Sequence, residues 1–298
     1  MLKYRILWFD DSQSFIDSLS PRIIRYIEDL GFKPEIISKT DDSNVQNLLR
    51  EIDDFNLILM DYNLNSKTTG KEIIKKIRNN DIYTEVVFYS GQQNVIPYAK
   101  SEAFDGVFYS EKDQLYEKTI AVVNLTVKKN QDINNIRGLV IAESIEIEVK
   151  IEKVIISYFD FDDEKLEVFQ SIFDGRSEVV QAKKKCDLIN KISKERITTL
   201  NNTLKSGDID TSVRDGIRDK IKFIEQFKDL AKDIETDVIE IRNVLAHTQE
   251  SPDLKNTLIS RINKHATTIT IDDEWCKSTR KKLKRHSENL DSALARLK

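Results

Sequence analysis

Glycine, proline and cysteine are scarce in this chain, which has 8, 4 and 2 of them among 298 residues. With so little glycine and proline, long disordered or turn-rich segments are not expected. The two cysteines, Cys186 and Cys276, lie far apart and lack the spacing of metal ligands. They predict neither a disulfide framework nor a zinc site, and they suit a reducing cytoplasm.

Long apolar runs are also lacking. No segment approaches the roughly 18 apolar residues that cross a bilayer, and acidic residues follow the N-terminus too closely for a signal peptide. The sequence contains no P-loop, dinucleotide fingerprint or serine-nucleophile elbow. With a net charge of −4, the chain as a whole is not expected to attract nucleic acid. We therefore expect a cytoplasmic protein without a membrane span.

What the first part of the chain does contain is an alternation of short apolar runs with amphipathic segments. The runs are rich in Ile, Val, Leu and aromatic residues, as strands buried on both faces are; they are Tyr4–Phe9, Pro34–Ser38, Asn56–Met60, Val86–Tyr89 and Val107–Tyr109. Segments with helical spacing lie between them, and the first of these ends at Gly31, a suitable residue just past a helix. The alternation predicts an α/β domain over residues 1–127, with a five-stranded parallel, doubly wound sheet.

The chain after residue 127 has few strand patterns. In residues 132–158, Ile and Val recur on one broad face, which predicts one long helix. We therefore assign 128–160 as a connector helix. Further helices are predicted at 163–173, 183–206, 212–248 and 273–297. Thr267–Ile271 alternates as a strand does, but a loop fits it equally well. We predict an all-α helical bundle over 161–298.

Polar residues follow the predicted strands of the first domain where each strand ends. Asp10 and Asp11 follow the first strand, and Asp61 follows the third, with Asn63 two residues later. Ser90 ends the fourth. Ligands of open parallel sheets bind at this edge. Three carboxylates there repel one another and require a cation such as Mg²⁺, beside which a carboxylate can accept a phosphoryl group.

This set of residues resembles the receiver domain of bacterial response regulators, which has a flavodoxin-like fold. The resemblance implies that Asp10 and Asp11 arrange Mg²⁺. It implies that Asp61 takes the phosphoryl group and that Asn63 offers a backbone carbonyl to the metal. Ser90 would bind the phosphoryl group. A histidine kinase or another signalling protein is then an expected partner.

The resemblance covers about residues 3–127 and departs from the family's pattern at the end of the fifth strand. The family places a lysine there. In this chain Tyr109 is followed by Ser110 and Glu111, so that Lys112 comes two positions late. Lys112 would pair with the phosphoryl group only if the loop bends inward. Otherwise the domain would serve as a receiver-shaped docking or dimerising module.

A second short motif lies near the end of the helix predicted at 212–248. Arg242, Asn243 and His247 form an Arg-Asn-x-x-x-His pattern, which resembles the HEPN superfamily (higher eukaryotes and prokaryotes nucleotide-binding domain). Many HEPN members are metal-independent ribonucleases that act as dimers. The resemblance implies that His247 is the acid/base, Arg242 the phosphate clamp and Asn243 an orienting group. Histidine shuttles protons near pH 7, and arginine grips phosphate with two donors.

Helical geometry sets a condition on such a site. At about 100° per residue, Arg242 and His247 diverge by about 140°. Either the helix unwinds near His247, or two chains form a homodimer and each contributes part of a shared site. A purely structural interpretation is also open. A histidine near a helix C-terminus is stabilised by the helix dipole, and Arg242 could pair with Asp237 or Glu235.

Together the two resemblances predict a cytoplasmic effector in which a receiver-like domain controls a ribonuclease that cuts RNA, in a toxin or phage-defence setting. The alternative is a non-catalytic signalling adaptor. Its helical half would dimerise and bind a partner protein.

Overall fold

The structure is a computed structural model that describes residues 2–40, 52–64, 68–92, 95–100, 103–129, 131–159, 178–205, 210–251, 257–260 and 268–296. The chain forms two compact units, Leu2–Asp132 and Ile133–Lys298. The helix predicted at 163–173 lies outside the described residues. Among the helices in the described ranges, none combines the length and the apolar character that a membrane span requires.

The N-terminal unit contains one parallel sheet with the strand order β2-β1-β3-β4-β5. Its strands are Lys3–Phe9 (β1), Lys33–Lys39 (β2), Leu57–Asp61 (β3), Val86–Ser90 (β4) and Val107–Glu111 (β5). Its helices are Gln13–Asp29 (α1), Gly70–Asn79 (α2), Val95–Lys100 (α3) and Leu115–Lys129 (α4). This strand order is that of flavodoxin-like doubly wound proteins, so the predicted fold class is confirmed.

The sheet is buried between two layers of helices. Successive residues of β1 point to opposite faces. Ile6 and Trp8 therefore pack with residues of α1 and α4, whereas Leu7 and Phe9 pack with residues of α2. None of the four is more than 1% exposed, and each such side chain contributes about 1.5–3 kcal/mol by burial. This packing holds the strand ends in place.

The first connection of the sheet is short because α1 begins soon after β1 ends. The hydroxyl of Ser12 caps α1 by accepting a hydrogen bond from the backbone N–H of Phe15 at 3.4 Å. The helix ends before Gly31, whose φ of +87° glycine adopts without strain. Gly31 thus ends this helix as predicted. Asp10 and Asp11 lie in the turn between β1 and α1.

The C-terminal unit is mostly helical. Its helices are Ile133–Phe159 (α5), Glu178–Lys205 (α6), Thr211–Ile234 (α7), Glu240–His247 (α8) and Asp273–Arg296 (α9). The π-helical turn Glu235–Ile239 joins α7 to α8, which makes the helix predicted at 212–248 nearly continuous. Helix α5, predicted as a connector, belongs to this second unit.

A small antiparallel sheet in the C-terminal unit was largely missed from the sequence. Its strands are Thr248–Glu250 (β6), Thr257–Ser260 (β7) and Thr268–Thr270 (β8), in the order β6-β7-β8. The sequence pattern indicates only the last of these, where a strand and a loop fit equally well. A run of three or four residues is too short for its alternation to be distinguished from a loop, and the pairing that creates the strands is not local.

Candidate functional site

Four polar side chains lie where strands β1, β3, β4 and β5 of the N-terminal sheet end. Asp10 follows β1, Asp61 ends β3, Ser90 ends β4 and Lys112 follows β5. The neighbouring strands are in register at this edge, since Asp61 pairs with Tyr89. Asp10 is 0%, Asp61 3% and Ser90 2% exposed. Buried polar groups of this kind need partners in the protein or a bound ion.

Lys112 supplies one partner to both aspartates. Its Nζ lies 2.9 Å from Asp61 Oδ2 and 3.0 Å from Asp10 Oδ2. The expectation of a fifth strand that ends at Tyr109, with the lysine two positions late, was wrong. Strand β5 continues to Glu111, which pairs with Ser90, so Lys112 directly follows the strand. The polar pair Ser110-Glu111 concealed this continuation in the sequence.

The surroundings shift the pKa values of both members of this ion pair. Burial raises the pKa of Asp61 to about 6, although the hydrogen bond from Lys112 opposes the shift. Burial would lower the pKa of Lys112, but its hydrogen bonds to Asp61 and Asp10 raise it above the ordinary value. The Lys112 ammonium therefore stays charged, whereas burial disfavours the charged form of the Asp61 carboxylate.

The same edge offers ligands for a divalent cation. Asp10, Asp11 and Asp61 each present an oxygen, and these oxygens lie within 4.8 Å of one another. Three carboxylates against one ammonium leave the site with excess negative charge. Hard oxygen donors in such a cluster suit Mg²⁺. The backbone N–H of Asn63 donates to Asp61 Oδ1 at 3.3 Å, which folds the chain after β3 around the carboxylate. The residues present therefore fit Mg²⁺.

Space for a small anionic group lies beside Ser90 and Lys112. The Ser90 hydroxyl oxygen accepts a hydrogen bond from the backbone N–H of Gln92 at 3.0 Å. A cavity of about 600 Å³ adjoins it, lined by Ser90, Gly91, Gln92, Ile96, Pro97, Glu111, Lys112 and Asp113. A phosphoryl group in this space would meet the Ser90 hydroxyl and the Lys112 ammonium, with the carboxylates of Glu111 and Asp113 also on the lining.

Gly70 approaches the site from the chain that follows β3. Its N–H donates to the carbonyl of Tyr62 at 2.9 Å. A Cβ atom at Gly70 would lie 1.9 Å from the carbonyl oxygen of Asp61 and 2.9 Å from Met60 Cγ. No side chain fits there, so the close approach requires glycine. This role could not be identified from the sequence, because the approach arises only in the folded chain.

Two aromatic residues that were not singled out from the sequence extend the site into the core. The hydroxyl of Tyr89 donates to Asp10 Oδ2 at 2.6 Å, and Trp8 Nε1 donates to the Tyr89 oxygen at 2.7 Å. Burial, and then the nearby Asp10, raises the pKa of Tyr89 well above its ordinary value, so the phenol stays protonated. In the sequence both residues resemble ordinary core aromatics of strands, and no local signal marks them.

The structure places the three residues of the second motif in different surroundings. Arg242 is 3% exposed, and its Nη1 lies 3.0 Å from Oε1 of Glu148 on α5. Asn243 is half-buried, and its Oδ1 has no hydrogen-bond partner in the described part of the chain. His247 is exposed at the last position of α8. One chain therefore does not present Arg242 and His247 to a common phosphate.

The structural interpretation of Arg242 also needs a correction. Asp237, on the same helical stretch, was one of its expected partners. Asp237 instead binds Lys282, Arg285 and His286 of α9, and Arg242 pairs with Glu148. Glu148 lies on a different helix from Arg242, so helical spacing could not reveal this pair.

Comparisons with known proteins concern the first unit. No family model matches the chain, and no curated protein matches it. Similar solved structures include a signal receiver domain from Vibrio parahaemolyticus, with 20% identity over 43% of this chain and 95% of that chain and a TM-score of 0.33. The BeF3-activated DrrB receiver domain has 17% identity, 42% and 98% coverage and a TM-score of 0.33. A CheY-like response regulator receiver domain protein from Methanospirillum hungatei JF-1 has 22% identity, 42% and 98% coverage and a TM-score of 0.31.

These three neighbours are receiver domains that correspond to the N-terminal part of the chain. Likeness at this level carries no statement about activity. The strand order of the first unit defines its fold, and its function depends on the geometry of its site.

Proposed function

We propose that the N-terminal unit is a signalling receiver in which Asp61 accepts a phosphoryl group. The observation that carries the proposal is the position of Lys112, whose Nζ lies 2.9 Å from Asp61 Oδ2 beside a cluster of carboxylates that suits Mg²⁺. A cation, a carboxylate acceptor and a metal site at one sheet edge are the parts that phosphoryl transfer to an aspartate requires.

Each residue has a distinct role in this proposal. Asp10, Asp11 and Asp61 would hold Mg²⁺, with the Asn63 carbonyl as the family resemblance implies. The bound ion would neutralise charge on the transferring phosphoryl oxygens. An oxygen of Asp61 attacks phosphorus, a new P–O bond forms, and the bond from phosphorus to the donor breaks, with the leaving group keeping that electron pair. A phosphorylated histidine of a partner kinase is a suitable donor.

Two further side chains would receive the transferred group. The Lys112 ammonium would turn from the carboxylate oxygen to the phosphoryl oxygens, since both are anionic and lie close together. The Ser90 hydroxyl already accepts from Gln92, which leaves its own proton for a phosphoryl oxygen. These two contacts would make the loops after β4 and β5 sensitive to phosphorylation.

Phosphorylation of the intact chain by a small acyl phosphate in the presence of Mg²⁺ tests the proposal. We expect intact-mass measurement to show one added phosphoryl group in the parent protein and none in Asp61→Asn. The exposed Asp54 provides a matched control, and Asp54→Asn should be modified as the parent is. The proposal would be contradicted if Asp61→Asn were phosphorylated as much as the parent. It would also be contradicted if the parent remained unmodified both in EDTA and in Mg²⁺.

For the helical unit, the non-catalytic adaptor is the output that the geometry supports better. Arg242 is buried and ion-paired to Glu148, so its guanidinium holds two helices together. A phosphate clamp must instead face its substrate. In this function the unit would bind a partner protein under the control of the receiver.

Ribonuclease activity of the HEPN type is the second candidate. The exposure of His247 favours it, because an exposed histidine can meet RNA or a second subunit. This candidate requires a homodimer and a rearranged Arg242, since one chain separates the two side chains. The toxin or phage-defence setting belongs to this candidate.

An RNA cleavage assay in EDTA separates the two outputs. The parent protein would be incubated with mixed RNA beside His247→Ala and Arg242→Ala, and the mass of each in solution would be measured by sedimentation. Cleavage by a dimeric parent but not by a folded His247→Ala would establish the ribonuclease. Intact RNA in all three reactions, with a folded protein, supports the adaptor.

A further inference from the structure

A chain of hydrogen bonds leads from the core of the N-terminal unit to the acidic site. Trp8 Nε1 donates to the Tyr89 hydroxyl at 2.7 Å, and that hydroxyl donates to Asp10 Oδ2 at 2.6 Å. Trp8, Tyr89 and Asp10 are each 0% exposed. The three side chains come from β1, from β4 and from the turn after β1, so the sheet itself brings them together.

The direction of this chain is unambiguous. An indole N–H can only donate, so the Tyr89 oxygen must accept from Trp8. The single phenolic proton is then directed to Asp10. In such a chain each bond polarises the next and strengthens it. The other Asp10 oxygen, Oδ1, accepts from the backbone N–H of Ser12 at 2.8 Å. Both oxygens of Asp10 are therefore held by groups in fixed positions.

We infer that Tyr89 and Trp8 are positioning residues for the metal site, which hold the Asp10 carboxylate in the orientation that binds Mg²⁺. The inference rests on the proposed function, since it takes the acidic cluster as a Mg²⁺ site. A ligating carboxylate that accepts a hydrogen bond from a buried neighbour keeps its orientation without reorganisation when the ion arrives. Partners of this kind are usually worth a factor of about 10–100 in metal affinity.

The competing explanation is that Tyr89 is a core tyrosine whose hydroxyl has found an acceptor. The same sheet contains a matched example. The hydroxyl of Tyr4, a residue of β1, lies 2.6 Å from the hydroxyl of Thr126, and Tyr4 is 3% exposed. Its partner is not a candidate metal ligand. A tyrosine-to-phenylalanine change at either position removes a buried hydrogen bond. Only the change at Tyr89 removes a donor from a candidate metal ligand, leaving Asp10 with Ser12 and Lys112 as its partners.

The chain has two tryptophans, Trp8 and Trp275, so Trp275→Phe leaves Trp8 as the reporter. In this full-length background, MgCl2 would be titrated into the parent, Tyr89→Phe and Tyr4→Phe, with calorimetry and Trp8 fluorescence as readouts. We expect Tyr89→Phe to bind Mg²⁺ about 10-fold more weakly and Tyr4→Phe to bind as the parent does. Mg²⁺ should change Trp8 fluorescence in the parent and in Tyr4→Phe, and this response should be lost in Tyr89→Phe.

A further variant, Trp8→Phe, removes the donor to Tyr89 but keeps the phenol. Calorimetry should show a smaller loss of affinity than for Tyr89→Phe, because one bond of the chain remains. Equal Mg²⁺ affinities of a folded Tyr89→Phe and the parent would overturn the inference and leave the proposed function standing. A parent that does not bind Mg²⁺ would overturn both.

Discussion

The ammonium of Lys112 lies 2.9 Å from Asp61 Oδ2, the oxygen of the proposed phosphoryl acceptor. Before any reaction, the Lys112 ammonium therefore covers Asp61 Oδ2. A phosphoryl group that arrives at this oxygen would displace the ammonium. The lysine that neutralises the carboxylate would become the partner of the phosphoryl group. In the proposed function, this contact would link modification of Asp61 to movement of the loop after β5.

Removal of this cation should destabilise the N-terminal unit in the absence of metal. Lys112→Ala leaves Asp10 and Asp61 buried without their shared ammonium. A broken buried ion pair costs about 3–5 kcal/mol; the Lys112 side chain is 27% exposed, so we expect about 2 kcal/mol. Urea unfolding in EDTA, followed by Trp8 fluorescence in the Trp275→Phe background, measures the change.

Mg²⁺ should recover more stability in Lys112→Ala than in the parent, since the ion replaces the missing positive charge. Lys75→Ala, at an exposed position of α2, is the control and should match the parent with and without Mg²⁺. If Lys112→Ala and the parent unfold at the same urea concentration in EDTA, the lysine does not support the acidic site.

Because the pKa of Asp61 is raised, its replacement by the neutral asparagine should increase the stability of the unit by an amount that depends on pH. The folded chain binds the Asp61 proton with a pKa of about 6, whereas the ordinary value is 3.8. The folded state thus binds the proton more tightly, and stability falls as the pH rises from about 4 to about 6. Asp61→Asn should therefore stabilise the unit by about 3 kcal/mol at pH 7. The gain should shrink towards pH 4.

Unfolding by urea at several pH values, again followed by Trp8, checks this expectation. Asp54→Asn serves as the control, because the Asp54 side chain is 70% exposed and should show little such dependence. A destabilised Asp61→Asn at pH 7 would mean that the attraction of Lys112 outweighs the cost of burying the carboxylate.

Two glycines should respond in opposite ways to the same substitution. Gly70→Ala would place a Cβ 1.9 Å from the Asp61 carbonyl oxygen, a backbone clash that should cost about 3 kcal/mol or more and should displace Asp61. Gly138 lies within α5, where an added Cβ would meet no neighbouring segment of the described chain within 4 Å. Gly138→Ala should therefore stabilise by about 0.5–1 kcal/mol. Thermal unfolding compares the two, and a tolerated Gly70→Ala would contradict the close approach.

The motif residues of α8 should differ in their effect on stability. Arg242→Ala removes the cation 3.0 Å from the buried Glu148 and should cost about 3 kcal/mol. His247→Ala, at an exposed position, should change stability by no more than about 0.5 kcal/mol. Trp275 fluorescence in a Trp8→Phe background reports unfolding of the helical unit.

A double variant tests whether the ion pair itself accounts for the cost. Arg242→Met combined with Glu148→Met removes both charges. The stability of this double variant should be much closer to that of the parent than the stability of Arg242→Ala is, because neither charge is left buried without the other. A double variant as unstable as Arg242→Ala would show that the two side chains act separately.

The sequence predicted the site best where its signals were local. Asp10, Asp61 and Ser90 could be placed at strand ends because each follows an apolar run of strand length, and parallel strands end at one edge. Lys112 was assigned to the site only on condition that its loop bends inward, because the end of β5 was placed two residues too early. That end depends on pairing with β4. The Arg242 partner was missed because Glu148 lies 94 positions earlier in the chain.

The sequence by itself determined the class of the first unit, the helical character of the second and the carboxylates of the acidic edge. These follow from periodicity and from residue types next to one another in the chain. Only the tertiary structure decided that Lys112 bridges Asp10 and Asp61, that Tyr89 and Trp8 support Asp10, and that Gly70 must lack a side chain. Each of these depends on distances between segments far apart in the chain, which packing sets and no local pattern encodes.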